Sequence, residues 1–218
     1  DWSSDVCSSD LMLLSTFAAS VTVGTGSLEF GQGSQQATAC DQKVFVALGE
    51  EWKGMPTPQD PSAGFFRVRT VTVSNLDLTS CAGKKLRVRL IDGNSGEISL
   101  GSTADAKVIQ VTLPSNPPVS NLSDIAQLGL SYLTGIGNYI TGNMIASAVI
   151  NVSGTSVYDG SSLSQSNADV MFYLDPTATT VNIDGQAVRR TTVETVDNPA
   201  PPQATPSPST SDSNTVSN

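Results

Sequence analysis

The feature that most constrains the fold is an alternation of apolar and polar residues with a period of two, which is clearest between Phe66 and Ile91. In a β-strand successive side chains project to opposite faces, so such alternation is typical of a strand with one buried face. In the second half of this segment the apolar residues share one parity and the basic residues share the other: Leu86, Val88 and Leu90 against Lys85, Arg87 and Arg89. This pattern predicts a half-buried strand.

The first half of the segment changes parity twice. Its apolar residues come as three pairs of alternating parity: Phe66 with Val68, Val71 with Val73, and Leu76 with Leu78. Each switch predicts a bulge or bend, because one extra residue reverses which face the following side chains occupy. We expect the two halves to form a hairpin across a short turn that carries a cysteine.

Further short apolar runs separated by Gly, Pro, Asn and Asp predict a β-rich fold. Expected strands fall within residues 20–30, 38–48, 97–100, 106–113, 145–152, 169–174, 179–183 and 187–196. Charged residues make up only 14% of the chain, which is low for a soluble domain and common in extracellular β-sandwiches. The prediction is therefore an all-β, antiparallel β-sandwich, Ig-like or jelly-roll-like, formed by residues 21–197 as one domain.

One helical segment is expected inside this domain, within a connection at residues 114–145. Ile125, Leu128, Tyr132 and Ile136 are spaced as on one face of a helix. Glycines in the same stretch oppose a helix at about 1 kcal/mol each, so we predict a short, glycine-weakened helix near residues 123–141.

The two ends of the chain are interpreted separately from the domain. Residues 1–11, DWSSDVCSSDL, resemble the translation of a sequencing adapter and are treated as a probable artefact. Residues 12–20 are typical of the end of a secretory signal peptide, with an apolar core before small residues, and a first β-strand is the alternative. Residues 198–218 are rich in Pro, Ser and Thr, which predicts a disordered, stalk-like tail.

Two cysteines remain after the opening stretch is set aside. A pair of cysteines in a chain with a signal-like start predicts a Cys40–Cys81 disulfide, and two separate buried thiols are the alternative. Two thiolates without a single histidine in the chain do not complete a usual zinc site, so no metal site is predicted.

The absence of histidine also removes the usual nucleophile triads and the commonest general base. Catalysis would depend on carboxylates that meet in space, and the available ones are Glu50, Glu51, Asp169, Asp175 and Asp184. Adjacent glutamates on a loop are more often solvated surface. We predict no catalytic residue, no cofactor and no enzyme activity.

The candidate ligand-binding residues are four arginines, Arg67, Arg69, Arg87 and Arg89. If their strands are neighbours, the four guanidinium groups share one face and offer paired donors to anionic glycans or cell-wall polymers. A solvated face paired with acids from other strands is the alternative. Nucleic-acid binding is not expected, because no aromatic residues interleave with these arginines.

Two other features are weaker. Trp52 lies in a proline-rich connection, and we interpret it as packing within the core or loop more readily than as a sugar platform. Residues 125–158 carry no charge, which suits a contact with another subunit, although burial within the domain is the default.

One resemblance extends over residues 20–113. The segments SVTVGTGSLEFGQG, Ala39-Cys40-Asp41 and Ser80-Cys81-Ala82-Gly83-Lys84 before an alternating strand resemble secreted β-sandwich surface proteins of bacterial metagenomes. This resemblance implies an exported surface protein and brings no site residues.

The expected function is a non-enzymatic, extracellular or cell-surface structural or adhesive module, whose partners are an extracellular polymer or other copies of itself. The alternatives are a binding module for anionic glycans and a self-assembling fibre subunit that donates residues 11–23 as a strand. No membrane span is expected.

Overall fold

The computed structural model of the chain describes residues 17–22, 40–41, 43–55, 57–58, 64–101, 103–140, 146–174 and 183–198. The expected artefact at 1–11, most of the expected signal remnant, the second strand expected within 20–30 and nearly all of the tail lie outside these residues. So do residues 175–182, which include Asp175 and most of the strand expected at 179–183.

The described residues form two antiparallel five-stranded sheets, which confirms the predicted all-β sandwich. The first sheet contains β1 (Phe17–Thr22), β2 (Lys43–Trp52), β3 (Phe66–Leu76), β8 (Ala146–Asn151) and β9 (Ala168–Leu174), in the order β1-β2-β3-β9-β8. The second contains β4 (Lys85–Ile91), β5 (Val108–Thr112), β6 (Ser131–Leu133), β7 (Tyr139–Ile140) and β10 (Arg190–Val196), in the order β10-β4-β5-β6-β7.

The two sheets enclose one hydrophobic core. Alternate residues of β2, β3 and β9 meet those of β4 and β5 in a single buried cluster. Phe172 on β9 is the largest fully buried side chain described. Burying a side chain of this kind stabilises the fold by about 2–3 kcal/mol, which is why the period-two pattern decides which face of each strand turns inward.

Both parity switches in β3 coincide with irregular pairing, as predicted. The β2–β3 register shifts between Gly49 and Glu50, and the β3–β9 register shifts between Val73 and Leu76. Asn75, within the second shift, has a φ of 62°, and asparagine tolerates this left-handed conformation better than most residues. The bulges let apolar residues of both parities along β3 reach the same core.

The hairpin expected from β3 and β4 is wrong. β3 lies in the first sheet and β4 in the second, and the turn at residues 77–84 carries the chain from one sheet to the other. A short polar connection can close a hairpin or carry the chain from one sheet to the other. Core packing decides which strands pair, because each sheet needs one apolar face turned toward the other.

The expected helix is a single turn, α1 (Ile125–Leu128). Asp124 begins it by accepting a hydrogen bond from the Ala126 amide at 2.9 Å. Gly129 follows with a φ of 54°, which ends the helix. The chain then forms β6 and β7 on the edge of the second sheet, so strand pairing outcompetes helical spacing over the rest of residues 123–141.

At residues 97–100, where a strand was expected, Glu97 makes only an isolated bridge with Ile91.

The segment that includes the end of the expected signal remnant pairs with the first sheet. Residues 17–22 form β1, antiparallel to β2, with Phe17 opposite Leu48 and Val21 opposite Val44. This placement agrees with the alternative in which the segment is a strand of the fold.

Candidate functional site

The sandwich has two ends of different character. At one end β2 and β4 begin and β3 and β10 finish, and at the other end β2 and β4 finish and β3 and β10 begin. We call the first the disulfide end and the second the distal end. They are about 30 Å apart, the length of a strand of ten residues such as β2.

The disulfide end is held by the predicted Cys40–Cys81 bridge, which the structure confirms with a Cα–Cα distance of 5.1 Å. Cys81 is fully buried in the turn that crosses between the sheets. The Cys40 amide donates a hydrogen bond to Thr195 Oγ1 on β10 at 3.2 Å. The bridge therefore ties the chain before β2 to the crossing turn and to the second sheet.

The last of the described residues, which follow β10, lie at the same end. β10 finishes at Val196, and the next residue, Asp197, forms an ion pair with Lys84 at the start of the second sheet. Residues after 198 are therefore attached to the sandwich at its disulfide end.

The distal end carries an exposed aromatic pair, formed by Trp52 and Phe66. The two residues stand opposite each other where β2 finishes and β3 begins, with ring centroids 5.1 Å apart and planes tilted by 60°. Trp52 is 44% exposed and Phe66 is 39% exposed. Met55, three residues beyond Trp52, is 72% exposed. The expectation that Trp52 packs within core or loop therefore does not describe its surroundings.

Two carboxylates, Glu50 and Asp184, lie close to each other at this end of the first sheet. Glu50 precedes Trp52 by two residues on β2 and so lies on the same face of the strand. Asp184 lies near Glu50, because Val68, which stands opposite Glu50, donates its amide hydrogen to the Ile183 carbonyl at 2.9 Å. We call this place the Glu50–Asp184 corner. Its side chain is fixed by a hydrogen bond from the Gln186 amide at 2.9 Å, which starts a 3-10 helix at Gly185–Ala187.

This corner changes the ionisation of Glu50. Partial burial raises the pKa of Glu50 above its usual value, and the negative charge of Asp184 raises it further. A Cβ at position 185 would overlap the Glu50 carboxylate, so Gly185 is what allows the carboxylate to lie there. Sequence reasoning grouped Glu50 with Glu51 as solvated surface, and adjacency in sequence gave no signal of the partner 134 positions away, at Asp184.

Glu51 lies on the opposite face of β2 and holds the two arginines of β3. Its carboxylate contacts Arg69 at 2.7 Å and Arg67 at 3.3 Å. Glu51 also stands directly opposite Arg67 in the β2–β3 register. These two candidate residues therefore form a local ion-pair cluster on the outer side of the first sheet.

The other two candidate arginines lie on β4, in the second sheet. Arg89 contacts Glu97 at 2.6 Å and Glu194 at 3.3 Å, and it donates to the Gly135 carbonyl at 2.8 Å. Arg87 donates to Gln110 Oε1 at 2.7 Å and lies 3.7 Å from Glu194.

The structure thus does not bring the four arginines together. Arg67 and Arg69 belong to one sheet and Arg87 and Arg89 to the other, because β3 and β4 are not neighbours. Each pair already has carboxylate partners, as the alternative interpretation expected.

A tyrosine extends the network on the second sheet. Tyr139 on β7 accepts a hydrogen bond from Lys85 Nζ at 2.9 Å, and Gln110 Nε2 approaches the same hydroxyl at 3.3 Å. The hydrogen bond from Lys85 lowers the pKa of Tyr139 below its usual value, followed by the effect of Gln110. The cationic side chain also lies over the Tyr139 ring, 5.6 Å from its centroid.

Asp169, another carboxylate considered for catalysis, has a structural role. It is fully buried and accepts hydrogen bonds from the Ser156 hydroxyl at 3.2 Å and the Val157 amide at 2.8 Å. These bonds hold the connection between β8 and β9 against the first sheet, where Tyr158 stacks on Phe45 at 4.1 Å. This part of the uncharged 125–158 stretch packs within its own domain.

Across the described ranges, no group of three or more His, Cys, Asp or Glu side chains is arranged to hold a metal ion. None of the helices in those ranges is long and apolar enough to cross a membrane. Comparisons with protein-family models, curated proteins and solved structures find no match to this chain.

Proposed function

We propose that this chain is an exported, non-enzymatic adhesive module that is held from its disulfide end and binds through its distal end. The observation that carries the proposal is the separation of these two ends. Asp197, after the end of β10, lies at the same end as the Cys40–Cys81 bridge, and the exposed side chains of Trp52, Met55 and Phe66 lie at the other end.

The disulfide supports an extracellular location. Such bridges persist in oxidising compartments and are rare in the reducing cytosol. The Pro-, Ser- and Thr-rich composition after residue 198 supports display on a stalk, because such sequences behave as extended spacers.

A binding role is favoured over a catalytic one by the engagement of the charged groups. Glu51, Glu97 and Glu194 each hold arginines, and Asp169 anchors a connection within the first sheet. Groups committed to such contacts stabilise the fold and are not held ready for proton transfer; of the described carboxylates considered for catalysis, this leaves Glu50 with Asp184. The partner we propose is an extracellular polymer on another surface.

Orientation-controlled adhesion tests this proposal. Particles would carry the protein either through a biotin at its C-terminus or through a biotin at exposed Asn94, in the turn after β4 at the distal end. Adhesion to a panel of fixed cells and immobilised extracellular polymers is expected only for C-terminal attachment. Equal adhesion in both orientations, or none in either, would refute the proposal.

A second candidate function is a self-assembling fibre subunit, and the position of β1 favours it. Among the described strands, β1 lies at the edge of the first sheet and pairs with β2, and its residues overlap the segment expected to be donated to a neighbour. A strand at an edge can be supplied by another copy without changing the rest of the sheet. Deleting residues 11–23 and adding them back as a peptide tests this: restoration of stability by the peptide is expected, and no binding of the peptide would exclude strand donation.

A further inference from the structure

The distal end combines exposed aromatic rings with nearby carboxylates. We propose that Trp52, Phe66 and Glu50 form a binding site for an uncharged polysaccharide, with the sugar rings stacked on the aromatic pair. The inference deepens the proposed adhesive function and rests on it, because it names the class of polymer that the distal end recognises.

The size of the aromatic pair suits a small, rigid ring. An aromatic side chain buries about 150–250 Å² when fully covered, so two side chains that are 44% and 39% exposed offer on the order of 150–200 Å² together. Met55, which is 72% exposed, enlarges this apolar patch, which stays well below the roughly 800 Å² that a protein partner usually covers on each side of an interface. Sugars present flat C–H faces of a few atoms, which match this limited area.

The tilt between the two rings adds shape. Their planes differ by 60° with centroids 5.1 Å apart, so the pair forms a bent surface and not one flat plane. Because Trp52 and Phe66 are opposite each other on paired strands, the sheet fixes their relative position. A preformed surface of this kind binds with little loss of conformational entropy.

Glu50 supplies a hydrogen-bond acceptor on the same face of β2 as Trp52. Glu50 is two residues from Trp52 on the same face, about 7 Å away along the strand. Carboxylate oxygens accept hydrogen bonds from hydroxyl groups, and such charge-assisted bonds are stronger than neutral ones. Aromatic surface with a few convergent polar groups and a carboxylate of shifted pKa is the usual composition of a ligand site.

Charge argues for an uncharged polymer over an anionic one. Glu50 and Asp184 bring two carboxylates together here, and burial, followed by the negative charge of Asp184, raises the pKa of Glu50. Arg67 and Arg69 lie on the outer side of the first sheet, where both contact Glu51. An anionic chain stacked on Trp52 would meet the like charge of Glu50, two residues away on the same face of β2.

The test uses Trp52 as its own reporter. In the full chain with Trp2→Phe, Trp52 is the remaining tryptophan, and its fluorescence is followed during titration with cellohexaose, laminarihexaose and N-acetylated chitohexaose. At least one of these is expected to give a saturable change. Calorimetry should then compare the wild-type chain with Trp52→Ala and with Phe66→Ala. Each substitution is expected to weaken binding more than about tenfold.

Tyr173→Ala is the matched control. Tyr173 on β9 is 41% exposed, close to the exposure of the aromatic pair. It stands opposite Thr70, four residues along β3 from Phe66. Its loss should leave glycan affinity unchanged. Circular dichroism and melting curves confirm that each variant is folded.

Three results would overturn the inference: no response to any uncharged oligosaccharide up to about 1 mM, binding only of anionic glycans, or equal binding by Trp52→Ala and wild type. Orientation-dependent adhesion that persists in Trp52→Ala would leave the proposed function standing and reject this site. Adhesion that is absent or independent of orientation rejects the proposed function itself.

Discussion

Replacing both cysteines of the Cys40–Cys81 bridge with alanine should destabilise the sandwich substantially. The bridge closes a loop with a sequence separation of 41 residues. The entropy that this closure removes from the unfolded chain corresponds to about 4 kcal/mol at 25 °C. For a domain of this size each kcal/mol shifts the melting temperature by roughly 2–4 °C, so a decrease of about 10 °C is expected.

The assay is thermal unfolding followed by circular dichroism, and the reference chain carries Cys7→Ser so that no third thiol can exchange with the bridge. The reference chain itself should melt like wild type. Reduction of the reference chain should reproduce the effect of the double substitution. A change of less than about 2 °C in both experiments would refute the view that the bridge holds the two sheets at this end.

Three further predictions concern ionisable groups. Glu50→Gln should raise the melting temperature above about pH 4.5, and not below it, because a folded-state pKa raised by burial and Asp184 makes ionisation of Glu50 unfavourable to the fold. A spectrophotometric pH titration, compared with that of Tyr139→Phe, should show Tyr139 ionising below the usual pKa of a tyrosine, and Lys85→Met should raise this pKa, because the hydrogen bond from Lys85 is the largest cause that lowers it. Asp169→Ala should cost about 2 kcal/mol in urea unfolding, because it leaves buried donors without their acceptor; a loss below about 0.5 kcal/mol would contradict that role.

The sequence predicted those parts of the fold that depend on local periodicity. The buried face of β4 and both bulges of β3 could be predicted from the sequence. A strand with one buried face has apolar residues at every second position, and a bulge interrupts this alternation. The disulfide could be predicted for a different reason: after the opening stretch only one pairing of the remaining cysteines exists.

The sequence did not predict which strands pair. β3 and β4 are consecutive and joined by a short turn, yet they lie in different sheets, since the choice between a hairpin and a crossing depends on core packing across the whole domain. The grouping of the four arginines failed for the same reason. The helix near 123–141 was overestimated because the edge of the second sheet offered β6 and β7 backbone partners that helical spacing ignores.

The distal end was also beyond sequence reasoning. Trp52 and Phe66 are separated by a proline-rich connection, and Glu50 and Asp184 come from opposite halves of the chain. They meet because β2 pairs with β3 and the segment at Ile183 joins the start of β3. The available signal was a single exposed-loop tryptophan, which alone does not distinguish packing from binding.

The central claim is that the distal end is the face that contacts the partner. Hydroxyl-radical footprinting of the protein bound to an adherent surface through its own contacts tests this most directly. The account predicts protection of Trp52, Met55 and Phe66, with no protection of Tyr173 or of Val119, which is 92% exposed. Protection of Tyr173 and Val119 with Trp52 and Phe66 still oxidised would contradict it.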